Sequence, residues 1–307
     1  MTNAHRRGGA VTAAGRFAPS PSGDLHLGNL RTAVLAWLFA RQSDRAFLIR
    51  MEDLDRVREG SAERQLADLA ALGLDPDGPV LTQSSRRDAY DDAIATLQAA
   101  GRVYECFCTR REIQQAASAP HAPQGAYPGT CRNLTDTERD ERRRAGRRPA
   151  LRLRADVTTR AVHDVLLGDH TGVVDDLVLR RTDGVPAYNL AVVVDDAFQG
   201  VDQVVRGDDL LSSSPRQAYL AGLLGLPVPE YVHVPLALGP TGARLAKRDG
   251  AVTLRDRLDA GESADDVLAE IAASIGAPGC RTVGDLAVRW RPDLLPREPW
   301  YAVGRDT

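Results

Sequence analysis

The stretch from Arg16 to Leu30 constrains the fold of this chain more than any other. Arg16 to Ala18 can form a short strand, and a Pro-Ser-Pro-Ser-Gly turn follows it. From Leu30 onward, apolar residues recur at i, i+4, i+7 and i+8, which predicts an amphipathic helix. A strand, a tight loop and a buried helix place backbone N–H groups and the positive helix end where a phosphate can bind. Gly28 would let such a ligand approach the backbone closely, although an ordinary strand-to-helix turn explains the same residues.

The composition is that of an ordinary globular protein, because 43% of the 307 residues are hydrophobic and 26% are charged. The length suits a nucleotide-binding domain with a smaller one inserted. A net charge of -3 gives no overall basic field, so contact with nucleic acid requires a local patch. No run approaches the length of a membrane span, and four cysteines in so long a chain do not suggest a disulfide framework. We therefore expect a cytoplasmic protein with no membrane contact.

The order of strand and helix signals predicts an α/β fold with a parallel sheet, interrupted by a mixed α+β insertion. Arg45 to Met51 reads as a buried strand that runs into Glu52, and a carboxylate at that end of a parallel strand faces the ligand crevice. After the insertion the sheet resumes, beginning with the apolar segment from Tyr188 to Asp196. The predicted parts are a disordered tail at 1–14, an α/β domain at 15–100 and 186–255, the insertion at 101–185, and a short helical C-terminal region at 256–307.

Capping residues mark the predicted helix starts. Ser61 can cap a helix, and Thr109 and Thr135 each precede a glutamate by three residues, which is the capping-box spacing. A C-terminal helix follows Ser263, with its apolar residues on one face. The last strand candidate runs from Tyr231 to Leu238.

Three cysteines, Cys106, Cys108 and Cys131, lie within twenty-six residues and flank a Pro/Gly-rich loop. Zinc prefers several thiolates brought together by a turn, so this cluster suggests a metal site. The alternative is that Cys106 and Cys108 alternate on a strand and one of them is simply buried. His121 is the chemically ordinary fourth ligand, and Cys280 is expected to be an isolated thiol.

Two segments of the chain resemble the signatures of class I aminoacyl-tRNA synthetases. Phe17-Ala-Pro-Ser-Pro-Ser-Gly followed by His26-Leu-Gly-Asn29 is similar to the HIGH-type signature in its glutamyl version. Arg244-Leu-Ala-Lys-Arg248 resembles the KMSKS-type loop, with Arg244 for the first lysine, Ala246 for the serine, and the second lysine, Lys247, retained. The resemblance covers about residues 15–255 and implies a Rossmann-like catalytic domain with an inserted acceptor-binding subdomain. It includes Arg50-Met-Glu-Asp-Leu-Asp55, Pro186-Ala-Tyr-Asn-Leu-Ala-Val-Val-Val-Asp195 and Arg206-Gly-Asp-Asp-Leu210.

This resemblance implies ATP-dependent activation of L-glutamate, with Mg²⁺ carried by ATP. It assigns His26 and Lys247 to catalysis, and it implies that ATP contacts His26, Gly28, Asn29, Arg244 and Lys247. Attack of the glutamate carboxylate on the α-phosphate needs positioning and charge neutralisation more than a protein nucleophile. Lys247 is therefore the first candidate for stabilising the developing charge.

The resemblance also implies a pocket for an amino acid with two carboxylates and one ammonium. Arg16 and Arg206 suit the carboxylates, and Glu52 suits the ammonium. The remaining implied glutamate-binding residues are Ala18, Ser20 and Tyr188. From the residues alone, a structural ion pair is the alternative for Arg206 and Glu52.

About fifty residues follow residue 255, which is too few for the anticodon-binding part of glutamyl-tRNA synthetases. This feature and the cysteine cluster resemble the glutamyl-queuosine tRNA(Asp) synthetases. The resemblance implies transfer of glutamate to the queuosine in the anticodon loop of tRNA(Asp), by an enzyme that we expect to be a monomer. It also implies one structural Zn²⁺ per chain, held by Cys106, Cys108, Tyr127 and Cys131.

The sequence leaves two alternative functions, and it does not decide the role of an arginine-rich surface. A compact glutamyl-tRNA synthetase that charges a tRNA 3′ end is the first alternative, and a catalytically inactive RNA- or nucleotide-binding paralogue is the second. Arginines of the insertion would hold RNA phosphates or simply form the solvated end of a charged helix. They are Arg142, Arg143, Arg144, Arg147 and Arg148.

Overall fold

The computed structural model describes residues 13–117, 127–239, 242, 245 and 252–302, with the backbone alone at 115–117. Its strands are β1 (Ala14–Phe17), β2 (Ala46–Met51), β3 (Leu81–Thr82), β4 (Val103–Cys106), β5 (Ala150–Leu153), β6 (Thr159–Asp164), β7 (Gly168–Val173), β8 (Val178–Arg180), β9 (Val201–Gly207), β10 (Glu230–Val234), β11 (Ala237–Leu238) and β12 (Trp300–Tyr301). Its α-helices are α1 (Leu27–Gln42), α2 (Ser61–Ala71), α3 (Arg87–Ala99), α4 (Arg110–Ala117), α5 (Asp136–Arg144), α6 (Tyr188–Phe198), α7 (Ser214–Leu223), α8 (Leu254–Asp259), α9 (Ala264–Ser274) and α10 (Val283–Arg289). Residues 1–12 of the predicted tail lie outside the described residues, and β1 already begins at Ala14.

Seven strands form the central sheet in the order β3-β2-β1-β9-β10-β6-β7. Neighbouring strands run parallel, except that β6 and β7 form an antiparallel hairpin at one edge. The strand order reverses between β1 and β9, and open α/β sheets bind ligands at such a point, beyond the carboxyl ends of the strands. The predicted α/β class with a mostly parallel sheet is confirmed.

Helix α1 is buried on nearly every side. The predicted apolar stripe of Leu30, Val34, Trp37 and Leu38 is buried, as expected. Leu35 and Phe39 are buried as well, because α1 packs against the sheet and also against α9 and α10. Within the described part of the chain, α1 and the other helices are too short or too polar to cross a bilayer.

The insertion contains a small antiparallel sheet of its own and contributes to the main one. Strands β4, β5 and β8 form a three-stranded sheet. The hairpin of β6 and β7, which also lies within 101–185, extends the seven-stranded sheet through pairing of Asp164 with Tyr231 in β10. The stretch from 101 to 185 is therefore not structurally separate from the α/β domain.

The predicted helix caps differ in outcome. Thr109 and Thr135 each accept a hydrogen bond from the backbone three residues on, and the glutamate at that position bonds back to the cap, as predicted. The helix predicted to follow Ser263 begins at Ala264, and Ser263 forms the same pair of bonds with Asp266. Helix α2 begins at Ser61 itself, after Gly60 with its φ of 70°, so Ser61 is the first helical residue and not the cap.

The segment from Tyr188 to Asp196 is a helix, α6, and the prediction that it continues the sheet is wrong. Residues 190–193 are buried, and so are Asp195 and Asp196, each of which is ion-paired with an arginine. A continuous apolar run carries no period that separates a buried helix from a buried strand. The predicted strand from Tyr231 to Leu238 is also not continuous, since it divides into β10 and β11.

The C-terminal region is part of the core. The predicted apolar face of α9 is buried, and Ile275 is buried just before Gly276. Trp290 is 0% exposed, donates its indole N–H to Ile275 O at 3.0 Å, and meets the ring of Phe39 edge-on at 5.3 Å. Cys280 is buried in the same core cluster.

Candidate active site

Four of the predicted glutamate-binding side chains meet at the carboxyl edge of the sheet. Arg16 lies in β1, Glu52 follows β2, and Arg206 lies near the end of β9. Tyr188 is the first residue of α6, and its hydroxyl accepts a hydrogen bond from Arg206 Nη1 at 3.4 Å. Tyr188 as a residue is 41% exposed, yet burial of its hydroxyl end raises its pKa, on which the charges of Arg206, Glu52 and Arg16 also act.

Asp196 is the shared partner of two arginines. Its Oδ1 accepts from Arg50 Nη1 at 2.7 Å and from Arg16 Nε at 3.3 Å. Burial alone would raise the pKa of Asp196, but the charges of Arg50 and Arg16 hold it below its ordinary value. The other bond of Arg16 within the described residues is a long one of 3.5 Å to Val205 O. Since a guanidinium has five N–H donors, Arg16 retains donors for a further acceptor.

Arg206 is a buried cation whose hydrogen-bond partners among the described residues are all neutral. It is 5% exposed, and its Nε donates to His233 Nε2 at 3.1 Å. Gln217 Oε1 and Ser214 Oγ accept from its terminal nitrogens at 2.9 Å and 2.8 Å. Within the described part of the chain, no carboxylate lies at salt-bridge distance from Arg206. A buried charge without a counter-ion is costly, so this position favours an anionic ligand.

Glu52 has the complementary environment. Burial raises its pKa, although the charges of Arg50 and Arg16 oppose this, so the carboxylate gains from a further cation. Its Oε1 lies 3.6 Å from Arg50 Nη2. The backbone N–H of Glu52 donates to Pro19 O at 2.9 Å, which ties the end of β2 to the loop after β1.

The loop between β1 and α1 is also fastened from α2. Gln65 is 1% exposed and donates its Nε2 to Ser20 O at 3.1 Å and to Gly23 O at 2.5 Å. These bonds fix the backbone, while the residue Ser20 is exposed and Ala18 is half-buried. Both predicted positions are therefore at least partly accessible to solvent.

His26 is the N-cap of α1, a role that the sequence comparison with the HIGH-type signature does not indicate. Its Nδ1 accepts the backbone N–H of Asn29 at 3.2 Å, and Asn29 Oδ1 accepts that of His26 at 3.3 Å. The reciprocal bonds fix the ring at the positive end of the helix. At Gly28 an added Cβ would lie 3.1 Å from both the His26 ring and Ala237 Cβ. The glycine therefore allows close packing of the helix start against β11, and its contact with ATP stays a prediction.

The described residues before and after the KMSKS-type residues lie beside α1. Strand β11 lies before them and packs against the helix start. After them, Val252 O accepts the backbone N–H of Leu27 at 3.1 Å, and Thr253 forms a β-bridge with His26. The predicted ATP-binding residues Arg244 and Lys247 lie outside the described residues.

The three clustered thiols come together with a tyrosine. The sulfurs of Cys106, Cys108 and Cys131 all lie within 4.8 Å of one another, and those of Cys108 and Cys131 are 3.4 Å apart. The Tyr127 hydroxyl lies 3.3 Å from Cys106 Sγ and 3.7 Å from Cys108 Sγ. His121, the alternative fourth ligand, lies outside the described residues.

The surroundings of the thiols and of the Tyr127 hydroxyl shift their pKa values. Burial raises the pKa of Cys108 to about 12 and also raises that of Tyr127. In Cys131, hydrogen bonds from the Phe107 backbone and from Cys108 lower the pKa against the effect of burial. A bound cation would stabilise the deprotonated forms. Three thiols and a phenol, with no carboxylate among them, fit zinc better than Mg²⁺ or Ca²⁺.

Several side chains of the site carry little or no signal in the sequence. Asp196 stands out only as an acid at the end of an apolar segment, because its arginine partners are far away in the chain. Gln217 and Ser214 lie on α7, and nothing in the sequence around them points to Arg206. His233 lies next to Arg206 only because β9 and β10 pair in that register.

Comparison with known proteins identifies the family of this chain. Residues 12–274 match the model of the tRNA synthetases class I (E and Q), catalytic domain. A glutamyl-Q tRNA(Asp) synthetase from Nocardia farcinica is 67% identical over 290 residues, which cover 94% of this chain and 93% of the relative. The chain belongs to the glutamyl-Q tRNA(Asp) synthetase family.

Other members and a solved structure agree with this placement. A glutamyl-Q tRNA(Asp) synthetase from Symbiobacterium thermophilum is 50% identical over 305 residues, covering 93% of this chain and 94% of the relative. The crystal structure of a glutamate tRNA ligase from Elizabethkingia meningosepticum in complex with its amino acid has a TM-score of 0.80 at 25% identity, and the match covers 95% of this chain and 67% of that one. As a glutamyl-Q tRNA(Asp) synthetase family member, the chain is a ligase with the Rossmann-like class I fold, as the resemblance implied.

Proposed function

We propose that this chain activates L-glutamate with ATP and Mg²⁺ and transfers the glutamyl group to the queuosine in the anticodon loop of tRNA(Asp). It acts in the cytoplasm, as a monomer. The amino-acid part of the proposal is supported by the charges of the pocket, and the RNA part by the names of the relatives that are 67% and 50% identical.

The observation that carries the proposal is the buried Arg206 guanidinium, whose partners in the part of the chain that the structure describes are all neutral. Glutamate brings two carboxylates and one ammonium, and the crevice offers Arg206, the remaining donors of Arg16, and Glu52. Carboxylates pair with guanidinium groups in bidentate geometry, which suits the two arginines. Glu52, whose pKa is raised by burial, gains most when the substrate ammonium approaches.

Activation then requires little from the protein beyond positioning and charge. A carboxylate oxygen of glutamate attacks the α-phosphorus, and pyrophosphate leaves. The N-terminus of α1, with His26 and Asn29 as its capping pair, supplies a positive helix end for the phosphates. Lys247 supplies the charge that stabilises the leaving pyrophosphate, with Mg²⁺ bound to ATP and Arg244 as a further phosphate contact.

Transfer forms an ester between glutamate and a hydroxyl of the queuosine ring, and AMP leaves. RNA phosphates need cations that are not already paired. Arg143 is paired with Glu105 and Asp140, and Arg147 with Glu112. Arg144 and Arg148 are exposed, and within the described residues no carboxylate lies at salt-bridge distance from either. We therefore assign the phosphate contacts to these two.

The insertion holds one structural zinc through Cys106, Cys108, Tyr127 and Cys131 in this proposal. The donors already lie within a few ångströms of one another, so binding needs deprotonation and little movement. Zinc would join β4 to the segment around residues 127–131.

The direct test compares two RNA substrates. Queuosine-containing and queuosine-free tRNA(Asp) are incubated with labelled glutamate, ATP and enzyme, and nuclease digestion locates the label. We expect label in the anticodon loop of the queuosine-containing tRNA alone, and weaker labelling by the double variant Arg144→Ala, Arg148→Ala. The paired Arg143→Ala is the matched control and should have a smaller effect.

Two outcomes would contradict the proposal. Label on the 3′-terminal adenosine, or equal labelling of both tRNAs, would make the chain a compact glutamyl-tRNA synthetase. Absence of glutamate-dependent exchange of pyrophosphate into ATP would support an inactive paralogue.

A further inference from the structure

A chain of polar contacts crosses three neighbouring strands behind the candidate glutamate pocket. Arg206 in β9 and His233 in β10 are direct cross-strand partners. On the other side of His233, Asp164 ends β6, the strand contributed by the insertion. His233 and Asp164 are both 0% exposed, and neither has a role in the reaction as proposed above.

The hydrogen bonds fix the tautomer of His233. Its Nε2 accepts from Arg206 Nε at 3.1 Å, so this nitrogen carries no proton. Its Nδ1 therefore carries the proton and donates to Asp164 Oδ2 at 2.7 Å. Burial and the charge of Arg206 lower the pKa of His233, while the Asp164 bond opposes them, so the ring is neutral at pH 7.

Asp164 is itself held on all sides. Its Oδ2 also accepts the backbone N–H of His233 at 2.9 Å. Its Oδ1 accepts the N–H groups of Leu166 and Leu167 in the turn between β6 and β7, at 3.0 Å and 2.9 Å. A carboxylate fixed by four donors can hold the imidazole in one orientation.

The bonds of Arg206 fall into two groups. Those to His233, Gln217 and Ser214 have lengths of 2.8 to 3.1 Å. Those to Tyr188 Oη and Leu210 O are both 3.4 Å, one on each terminal nitrogen. Bonds this long are weak, so a carboxylate that replaces both gains one N–H from each terminal nitrogen.

We propose that His233, held by Asp164, is a positioning residue that keeps the terminal N–H groups of Arg206 directed at a carboxylate of the substrate. The inference rests on the proposed function, because it takes Arg206 as a glutamate ligand. His233 touches no reacting atom and acts through the Nε edge of the guanidinium. The other groups at its ring are Ser214 Oγ at 3.4 Å, the Tyr231 ring stacked at 6.0 Å, and the Asp208 charge.

Two substitutions separate the two nitrogens of the ring. The His233→Gln variant places an oxygen near the Nε2 position and can accept from Arg206. The His233→Asn variant places its amide near the Nδ1 position, so it can donate to Asp164 but cannot reach Arg206. The measurement is glutamate-dependent exchange of pyrophosphate into ATP, with KM for glutamate, KM for ATP, kcat and thermal stability determined for each protein.

We expect KM for glutamate to rise about tenfold or more in His233→Asn and to stay within about threefold of the parent in His233→Gln, the size of effect typical of a hydrogen bond to a charged group. KM for ATP should change little in either variant. Equal KM values for glutamate in both variants, or loss of stability that accompanies equal changes in both KM values, would overturn the inference and make His233 a structural residue. Absence of exchange in the parent protein would instead overturn the proposed function.

Discussion

Pro19 and Glu52 are joined by a hydrogen bond of 2.9 Å between the Pro19 carbonyl and the backbone N–H of Glu52. Pro19 lies in the loop that precedes α1, and Glu52 follows the neighbouring strand β2. In the proposed function, the bond therefore couples the loop that faces the phosphates to the residue that meets the substrate ammonium. A shift of one would then change the distance between ATP and glutamate, on which activation depends.

The raised pKa of Glu52 gives a pH dependence with a definite sign. As the pH falls, Glu52 should be protonated at a higher pH than an ordinary glutamate, and binding of the substrate ammonium should weaken there. A plot of log kcat/KM for glutamate against pH should therefore fall on the acid side, in a limb centred above the ordinary glutamate pKa of about 4.3. The side chain of the substrate itself titrates near that ordinary value and gives a second, lower limb. The Glu52→Gln variant should lose the upper limb and retain that of the substrate. An unchanged acid limb in that variant would remove Glu52 from the pocket.

Lys247 is the single lysine of the chain, since the other 38 of its 39 basic residues are arginines. Its role can therefore be tested without interference from other lysines. Lys247→Ala should slow glutamate-dependent pyrophosphate exchange by roughly a hundredfold or more, the range for removing a group that stabilises developing charge. The neighbouring Arg248→Ala is the matched control and should lose much less. Unchanged exchange in Lys247→Ala would rule out the role.

A chemical experiment on the unaltered protein gives the same information. An amine-selective acylating reagent can modify a single side chain, that of Lys247, besides the terminal amino group. We expect modification mapped to Lys247 to abolish exchange, and ATP with Mg²⁺ to slow the modification. Protection by glutamate alone, with none by ATP, would contradict the assignment of Lys247 to the nucleotide.

The fourth cysteine provides the control for zinc. Purified protein should contain about one zinc per chain, and Cys131→Ser should release it and lower the thermal stability of the insertion. Cys280→Ser removes a buried thiol far from the cluster and should retain the metal. Metal analysis that finds no zinc in protein prepared without chelator would favour a cluster of buried, neutral thiols.

Trp290 should contribute strongly to the stability of the fold. Trp290→Ala removes a fully buried ring that contacts Phe39 and leaves Ile275 O without its donor. The free energy of unfolding, measured by urea titration, should fall by about 3–5 kcal/mol. Val288, two residues earlier, is 73% exposed. The Val288→Ala variant should therefore change the free energy of unfolding by less than about 0.5 kcal/mol. Equal effects would mean that the C-terminal region does not pack as described.

Local patterns in the sequence predict much of this fold. The apolar period of α1 and the capping boxes at Thr109 and Thr135 each depend on residues within one or two turns, and all are found. The prediction for the segment from Tyr188 to Asp196 is wrong because its continuous apolar run carries no period that would identify a helix. The hairpin of β6 and β7 is assigned to the insertion by chain order, whereas its place at the edge of the main sheet depends on pairing with a distant strand.

The residues of the site also fall into those that the sequence predicts and those that it does not. Residue types and family resemblance identify Arg16, Glu52, Tyr188 and Arg206, and the structure gathers them at one edge of the sheet. The groups that hold these residues, such as Asp196 and Gln217, become visible only when strands and helices far apart in sequence are brought together. A sequence pattern states which functional groups are available, but the counter-charges depend on tertiary structure.

The backbone bond between Leu27 and Val252 sets a limit on the position of the single lysine. Lys247 is five residues before Val252, and a chain cannot extend further than about 3.6 Å per residue, so covalent geometry limits its Cα to about 18 Å from that of Val252, and the side chain adds about 6 Å. One amine confined to a sphere of about 24 Å radius has an effective concentration on the order of tens of millimolar. Free ammonium would have to be supplied at that level to replace it. The tether therefore gives a quantitative benchmark for chemical rescue of Lys247→Ala by small amines, which should begin to restore exchange in this concentration range.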